Sequence, residues 1–99
     1  MYQFAQAVYY YNEIEKQPYE AVVAADQTTP EWVEILLKGG TGRTFKAAAS
    51  RIIITVPPEL EFREALEASF NGFYVEKLKA GEAEYLGDGK FKMLESTRS

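Results

Sequence analysis

Hydrophobic and polar positions are patterned most sharply over residues 51–72, RIIITVPPELEFREALEASFNG. Ile52, Ile53, Ile54, Thr55 and Val56 are five β-branched residues in a row, which suit a pleated strand and lose rotamer freedom in a helix. An unbroken run of that length predicts a central strand covered on both faces. Pro57 and Pro58 have no N–H to give to a ladder, and Pro58 has the fixed φ of a first helical position, so a helix is expected at once. Phe62, Ala65, Leu66, Ser69, Phe70 and Phe73 recur at helical spacing as one stripe, while Glu59, Glu61, Arg63, Glu64 and Glu67 fall on the other side. The stripe is expected to lie on a sheet, with the acids solvated near the positive end of the helix dipole and Asn71-Gly72 as a left-handed stop.

Residues 2–15 fit two periods. Tyr2, Phe4, Val8, Tyr10 and Ile14 alternate, whereas Phe4, Ala7, Val8, Tyr11 and Ile14 form a helical stripe. The β-favouring run Val8-Tyr9-Tyr10-Tyr11 decides for a long first strand. Gln17-Pro18 breaks it, and Tyr19, Ala21 and Val23 alternate with Glu20 and Val22 in a second strand over 19–25. Thr28-Thr29-Pro30-Glu31 has the order of a helix start, with Thr29 as cap and Pro30 in the first turn. Trp32, Val33, Ile35, Leu36 and Leu37 then give a wide apolar face, and Glu34 with Lys38 the favourable i,i+4 order. A helix closed by Gly39-Gly40 is therefore preferred to the rival strand carrying Val33, Ile35 and Leu37 on one face.

Phe45 to Ser50 approaches the isoleucine strand through three alanines, as a strand or a single helical turn. Beyond the second helix, residues 73–79, 83–86 and 90–95 are short runs separated by Ala80-Gly81 and Gly87-Asp88-Gly89. Asp-Gly between alternating runs is a hairpin signal, so the C-terminal quarter is expected to be a three-strand meander. The predicted order is β-β-α-β-α-β-β-β. It defines a single α+β domain over 1–95, with a mainly antiparallel sheet of five to six strands, two helices packed on one face, the other face partly open, and a flexible tail at 96–99.

Composition narrows the chemistry more than the architecture. Hydrophobic residues are 46% and charged residues 26% of the 99, an ordinary globular balance with enough apolar surface for one core. No apolar run approaches the ~20 residues of a membrane span, and MYQFAQAVYYY lacks the basic start of a signal peptide, so a cytoplasmic protein without membrane contact is expected. Cysteine and histidine are both absent. That removes disulfides, thiolate nucleophiles, zinc–sulfur sites and the usual acid–base group of neutral pH together. No spacing resembles a calcium loop, a paired-carboxylate hydrolase or a histidine metal site, so no cofactor or metal is expected. Glu20 or Glu76 beside a tyrosine is the one acid–base pair on offer, and it has no motif behind it.

The net charge of −4 is unevenly spread. Residues 1–40 hold Glu13, Glu15, Glu20, Asp26, Glu31 and Glu34 against Lys16 and Lys38, whereas residues 41–99 balance. An acidic N-terminal part repels nucleic acid, which is not an expected partner. Lys77, Lys79, Lys90 and Lys92 would make a small basic stripe on neighbouring strands, but interleaved Glu76, Glu82 and Glu84 make them edge protection instead. The glycine loop at Gly39, Gly40, Gly42 and Arg43 can present backbone N–H groups to an anion or a partner. It lacks the spacing of a nucleotide-binding loop, with Leu37 where the first glycine belongs and Arg43 in place of lysine.

These features point to a non-catalytic protein–protein interaction module, a small acidic inhibitor or adaptor with the size and charge of phage-encoded anti-defence proteins. Its partner would be a protein with a basic surface, occluded by Tyr9, Tyr11, Glu13, Glu15 and Glu20, because tyrosine brings large contact area at little rotamer cost. One alternative is a self-assembling structural or viral subunit, a homodimer in the simplest case, which covers an open sheet face with a second copy. Another is a ligand-binding or carboxylate-based enzyme domain with a pocket lined by Trp32, Phe62 and Phe70.

Overall fold

The computed structural model describes residues 1–55 and 62–94. Val56, the Pro57-Pro58 break, Glu59, Glu61 and the expected tail lie outside the described residues. The chain forms a single α+β domain. Strands β1 (Ala7–Asn12), β2 (Gln17–Val23), β3 (Trp32–Leu37) and β4 (Thr44–Ala48) follow one another as antiparallel neighbours, a 3₁₀ turn at Ala49–Arg51 leads into β5 (Ile52–Ile54), and β5 pairs with β1. Helix α1 (Phe62–Lys79) and a hairpin of β6 (Ala83–Gly87) and β7 (Lys90–Met93) complete the domain.

The order β4-β3-β2-β1-β5 forces the sheet to curl. In a flat sheet the outer strands would lie about 19 Å apart, four strand spacings. Yet β4 ends at Ala48 and β5 begins at Ile52, and four residue steps reach at most about 14 Å. The sheet bends toward a small, partly closed barrel whose concave face fills itself: Val8, Ala21, Val23, Val33, Ile35, Ala47 and Ile52 are buried there, with Tyr2, Tyr10, Leu37 and Phe45 around them. A second core lies on the convex face of β1 and β5, where Tyr11 and Ile53 meet Val75 and Leu78 of α1 and Ala83 and Tyr85 of β6.

Three expectations are corrected. The helix expected after Thr29 is strand β3. Val33 and Ile35 are fully buried in the barrel while Trp32 and Glu34 face outward, and two flanking strands outbid the cap and i,i+4 signals because they satisfy every backbone group. Glu34 accepts a bond from the Thr44 hydroxyl across the strands (3.1 Å) rather than pairing along a helix. Secondly, the isoleucine run lies at the edge of the sheet. It is nevertheless covered on both faces, Ile52 by the barrel and Ile53 by α1, and this is what the apolar run reported. Thirdly, α1 runs through Asn71-Gly72 to Lys79, so the segment expected as the first meander strand is helix and the meander is a two-strand hairpin.

Loop chemistry explains the ends. The β1–β2 turn is closed by Asn12, whose side-chain oxygen accepts from the Ile14 and Glu15 amides (both 2.9 Å), so β1 stops short of residue 13. Gly87-Asp88-Gly89 is left-handed at all three positions (φ 99°, 53° and 77°), which is why two glycines flank the aspartate in the β6–β7 turn.

Candidate functional site

Helix α1 carries apolar residues on two opposite faces. At 3.6 residues per turn, Phe62, Leu66, Phe70 and Phe73 point about 170° away from Ala68, Val75 and Leu78. Only the second set is buried. The first set is the stripe singled out in the sequence, and it faces outward: Phe62 is 83% exposed, Phe70 63%, Leu66 56% and Phe73 52%. Once the helix continues to Lys79, Val75 and Leu78 supply a packing face of their own, and a single sheet accepts only one side of a helix. The signal for the stripe was present in its spacing. Its direction was hidden because the second apolar face lies beyond Gly72.

The stripe has a defined surface. Leu66, Ser69, Phe70 and Phe73 enclose a shallow hollow of about 320 Å³. Ser69 is the one small residue among the four, and its hydroxyl donates to the Leu66 carbonyl (2.8 Å), so its polar group is satisfied within the helix and an apolar occupant strands no donor. A chain of aromatic contacts holds the C-terminal end of the stripe to the body. Phe73 and Phe70 contact Tyr74 (5.3 and 6.1 Å between ring centroids), Tyr74 stacks on Phe91 (4.6 Å, 8° between planes), Phe91 meets Tyr85, and Tyr85 meets Tyr11 (5.0 and 5.3 Å). The Lys77 ammonium sits 5.4 Å from the Phe73 ring centre while bonded to Glu82 (3.4 Å).

Most of the residues expected to meet a partner around β1 have contacts within the domain. Tyr11 is buried in the second core against Tyr85, with the Arg51 guanidinium 5.9 Å from its ring centre. Tyr9 is half-buried beside it under the Lys79 ammonium (5.4 Å), and Tyr10 on the opposite face packs edge-on against Phe45 (5.4 Å). Both faces of β1 carry packed neighbours, so none of the three consecutive tyrosine rings is fully exposed. Glu13 is ion-paired with Arg51, and Glu15 accepts from the Tyr19 hydroxyl. Glu20 alone of the three acids stays exposed without such a contact among the described residues.

Gly39, Gly40, Gly42 and Arg43 form the exposed β3–β4 connection. Gly39 and Gly42 are left-handed (φ 76° and 85°), and the Gly40 amide is turned inward to the Leu37 carbonyl (3.2 Å), which removes one donor from any anion nest. Lys77 and Lys79 are helical and do not continue the Lys90–Lys92 strand, so no four-lysine stripe forms. Trp32 lines a separate hollow with Asp26, Glu34 and Lys46, apart from the one that Phe70 lines.

An open cleft of about 690 Å³ runs along β5, between the N-terminal residues and the β6–β7 turn, with Tyr2, Ile52 and Ile54 on its floor and Glu31 and Asp88 at its solvent-exposed margin. Among the described residues no polar or charged side chain is buried and no group of acids has metal-ligating geometry. Burial pushes Tyr85, Tyr11 and Tyr2 above the ordinary tyrosine range, and the bond to Glu15 raises Tyr19. No protein-family model matches the chain, and no curated protein or solved structure is significantly similar to it.

Proposed function

We propose that this chain is a non-catalytic protein-interaction module whose contact surface is the outward stripe of α1, centred on Phe62, Leu66 and Phe70. The observation that carries the reading is three phenylalanines and a leucine, all more than half exposed, on one face of one helix whose opposite face is packed. Hydrating such a stripe costs roughly 1.5–3 kcal/mol for each large side chain that burial would otherwise shelter, and clustered exposed aromatics of this kind mark protein contacts. The module acts by contact. Among the described residues its carboxylates stand in solvent, in ion pairs or in hydrogen bonds to hydroxyls, and the acidic surface of β1 and β2 lends the chain its charge rather than its anchor residues.

A photo-reactive amino acid placed at Leu66 or at Glu20, in cells producing the protein, separates this reading from the one centred on the acidic strands. Protein adducts from position 66 with none from position 20 are the expected result. Adducts from position 20 alone would sink it.

A further inference from the structure

Resting on that reading, we propose that the occupant of the stripe is a second copy of the chain, with two α1 helices packed antiparallel about a two-fold axis at Leu66. A closed dimer uses the same patch twice, so the patch must hold both a projection and a recess for it. The stripe holds both. Phe62 is the projection, at 83% exposed, and the hollow above Ser69, between Phe70 and Phe73, is the recess. With Leu66 on the axis, residue 62 of one copy comes level with residue 70 of the other. A two-fold axis between antiparallel helices also brings each flank of the stripe against itself. Phe62 and Ser69 lie on the same flank at 3.6 residues per turn, so each Phe62 ring enters the hollow of the second copy.

The charged rim obeys the same symmetry. Arg63 and Glu67 share the other flank, 3.9 Å apart within the helix. Across the axis, Arg63 of each copy comes level with residue 69 of the other, within about 3 Å of helix rise of Glu67 and Phe70 on the same flank, so its long side chain reaches both and gives two ion pairs and a cation over a ring. One positive and one negative group leave the rim neutral, so neither a strongly basic nor a strongly acidic partner is selected, and a copy meets no like-charge repulsion there. Area agrees as well. At about 200 Å² for a fully exposed phenylalanine, the exposed fractions of the three rings together with Leu66 leave roughly 500 Å² of apolar surface on each copy. Two copies would bury on the order of 1,000 Å², the lower bound of a specific interface, which fits a dissociation constant on the order of micromolar.

Light scattering and sedimentation across the micromolar range test this, together with circular dichroism to show that every variant is folded. The expected result is a concentration-dependent dimer that Phe62→Glu weakens roughly 30-fold or more. Arg63→Glu or Glu67→Arg should each weaken it about tenfold, and the double reversal should restore it. Because the chain has no cysteine, Leu66→Cys gives a single thiol at the axis. It should oxidise to a covalent dimer, whereas Glu64→Cys, on the opposite side of the helix, should not. A chain that stays monomeric throughout, or a dimer indifferent to Phe62→Glu and uncrosslinked by Leu66→Cys, overturns the proposal. A monomer that still gives adducts with another protein from position 66 overturns the second copy alone and leaves the stripe as the contact surface. Absence of any adduct from position 66 removes both.

Discussion

Ile52 and Ile53 are neighbours in sequence and belong to different cores. Ile52 closes the concave side of the barrel, and Ile53, on the other face of the same strand, holds α1 and β6 to its outside. β5 is only three residues long, yet its two faces serve both cores, as do those of β1, while α1 also reaches β2. Alanine at either position deletes most of a fully buried side chain and should cost about 2–5 kcal/mol, a large part of the stability of a domain this size. The two losses should differ in place. Ile53→Ala should lower amide-exchange protection first in residues 73–79 and 83–87, and Ile52→Ala first in β2 and β3. Identical exchange patterns for the two variants would show that the cores are one cooperative unit.

Gly72 lies in the interior of α1, exposed, and a Cβ added there would meet nothing within 4 Å. Glycine in a helix interior costs roughly 0.5–1 kcal/mol relative to alanine through backbone entropy. Gly72→Ala should therefore stabilise the fold by that amount, read as a higher urea midpoint with an unchanged slope of the transition. A loss of stability instead would mean that the helix bends or opens at Asn71-Gly72.

What the sequence disclosed, and what it hid, follows from how far each signal reaches. The hairpin at Gly87-Asp88-Gly89 was legible because three left-handed positions in a row demand those residue types locally. The isoleucine run was legible as burial and misleading as position: two covered faces imply a central strand in an ordinary open sheet, but here the helix covers an edge strand. The segment Trp32–Leu37 was lost to its own cap-like prelude. Thr28-Thr29-Pro30 serves a bend in which the Gln27 side chain donates to the Thr29 carbonyl (2.8 Å), and nothing within eight residues announces the strands on either side. The tyrosines misled in the same way. Tyr9 and Tyr11 share one face of β1, and that face is covered by a helix from more than sixty residues later. The stripe on α1 was visible as a period, and its outward direction depended on Val75 and Leu78 beyond an apparent stop.

Tyr74 and Phe91 stack almost parallel at 4.6 Å and join the helix to the hairpin at the end of the exposed stripe. Such pairs contribute about 0.5–1.5 kcal/mol beyond the area they bury. A double-mutant cycle of Tyr74→Ala and Phe91→Ala should return a coupling in that range. The same variants should loosen Phe73, which leans on Tyr74 at 5.3 Å, without unfolding the barrel. Aromatic proton shifts of Phe73 report this directly, and a coupling near zero would mean that hairpin and helix are held by Val75, Leu78 and Tyr85 alone.

Tyr11 and Tyr85 set the alkaline limit of the fold. Burial is the main cause of the upward displacement of both phenols; Glu84 adds to it at Tyr11 and Asp88 at Tyr85, while the Gly89 amide, which donates to the Tyr85 oxygen (2.8 Å), opposes it. The unfolded chain releases these protons near pH 10, and the folded chain keeps them to higher pH. Above pH 10 the folded state therefore binds more protons than the unfolded one, and stability must fall as pH rises. Below pH 10 the stabilisation is fully present, and it disappears as pH climbs through the raised folded values. Each buried phenol steepens the decline by at most about 1.4 kcal/mol per pH unit. Tyr11→Phe should be near neutral at pH 7 and should flatten the fall above pH 10, because it removes one of the protons held back. Phenolate absorbance in the near ultraviolet should show Tyr11 and Tyr85 ionising later than the exposed tyrosines, together with unfolding. A single titration step for all seven tyrosines, with the fold intact, would mean that water reaches the second core.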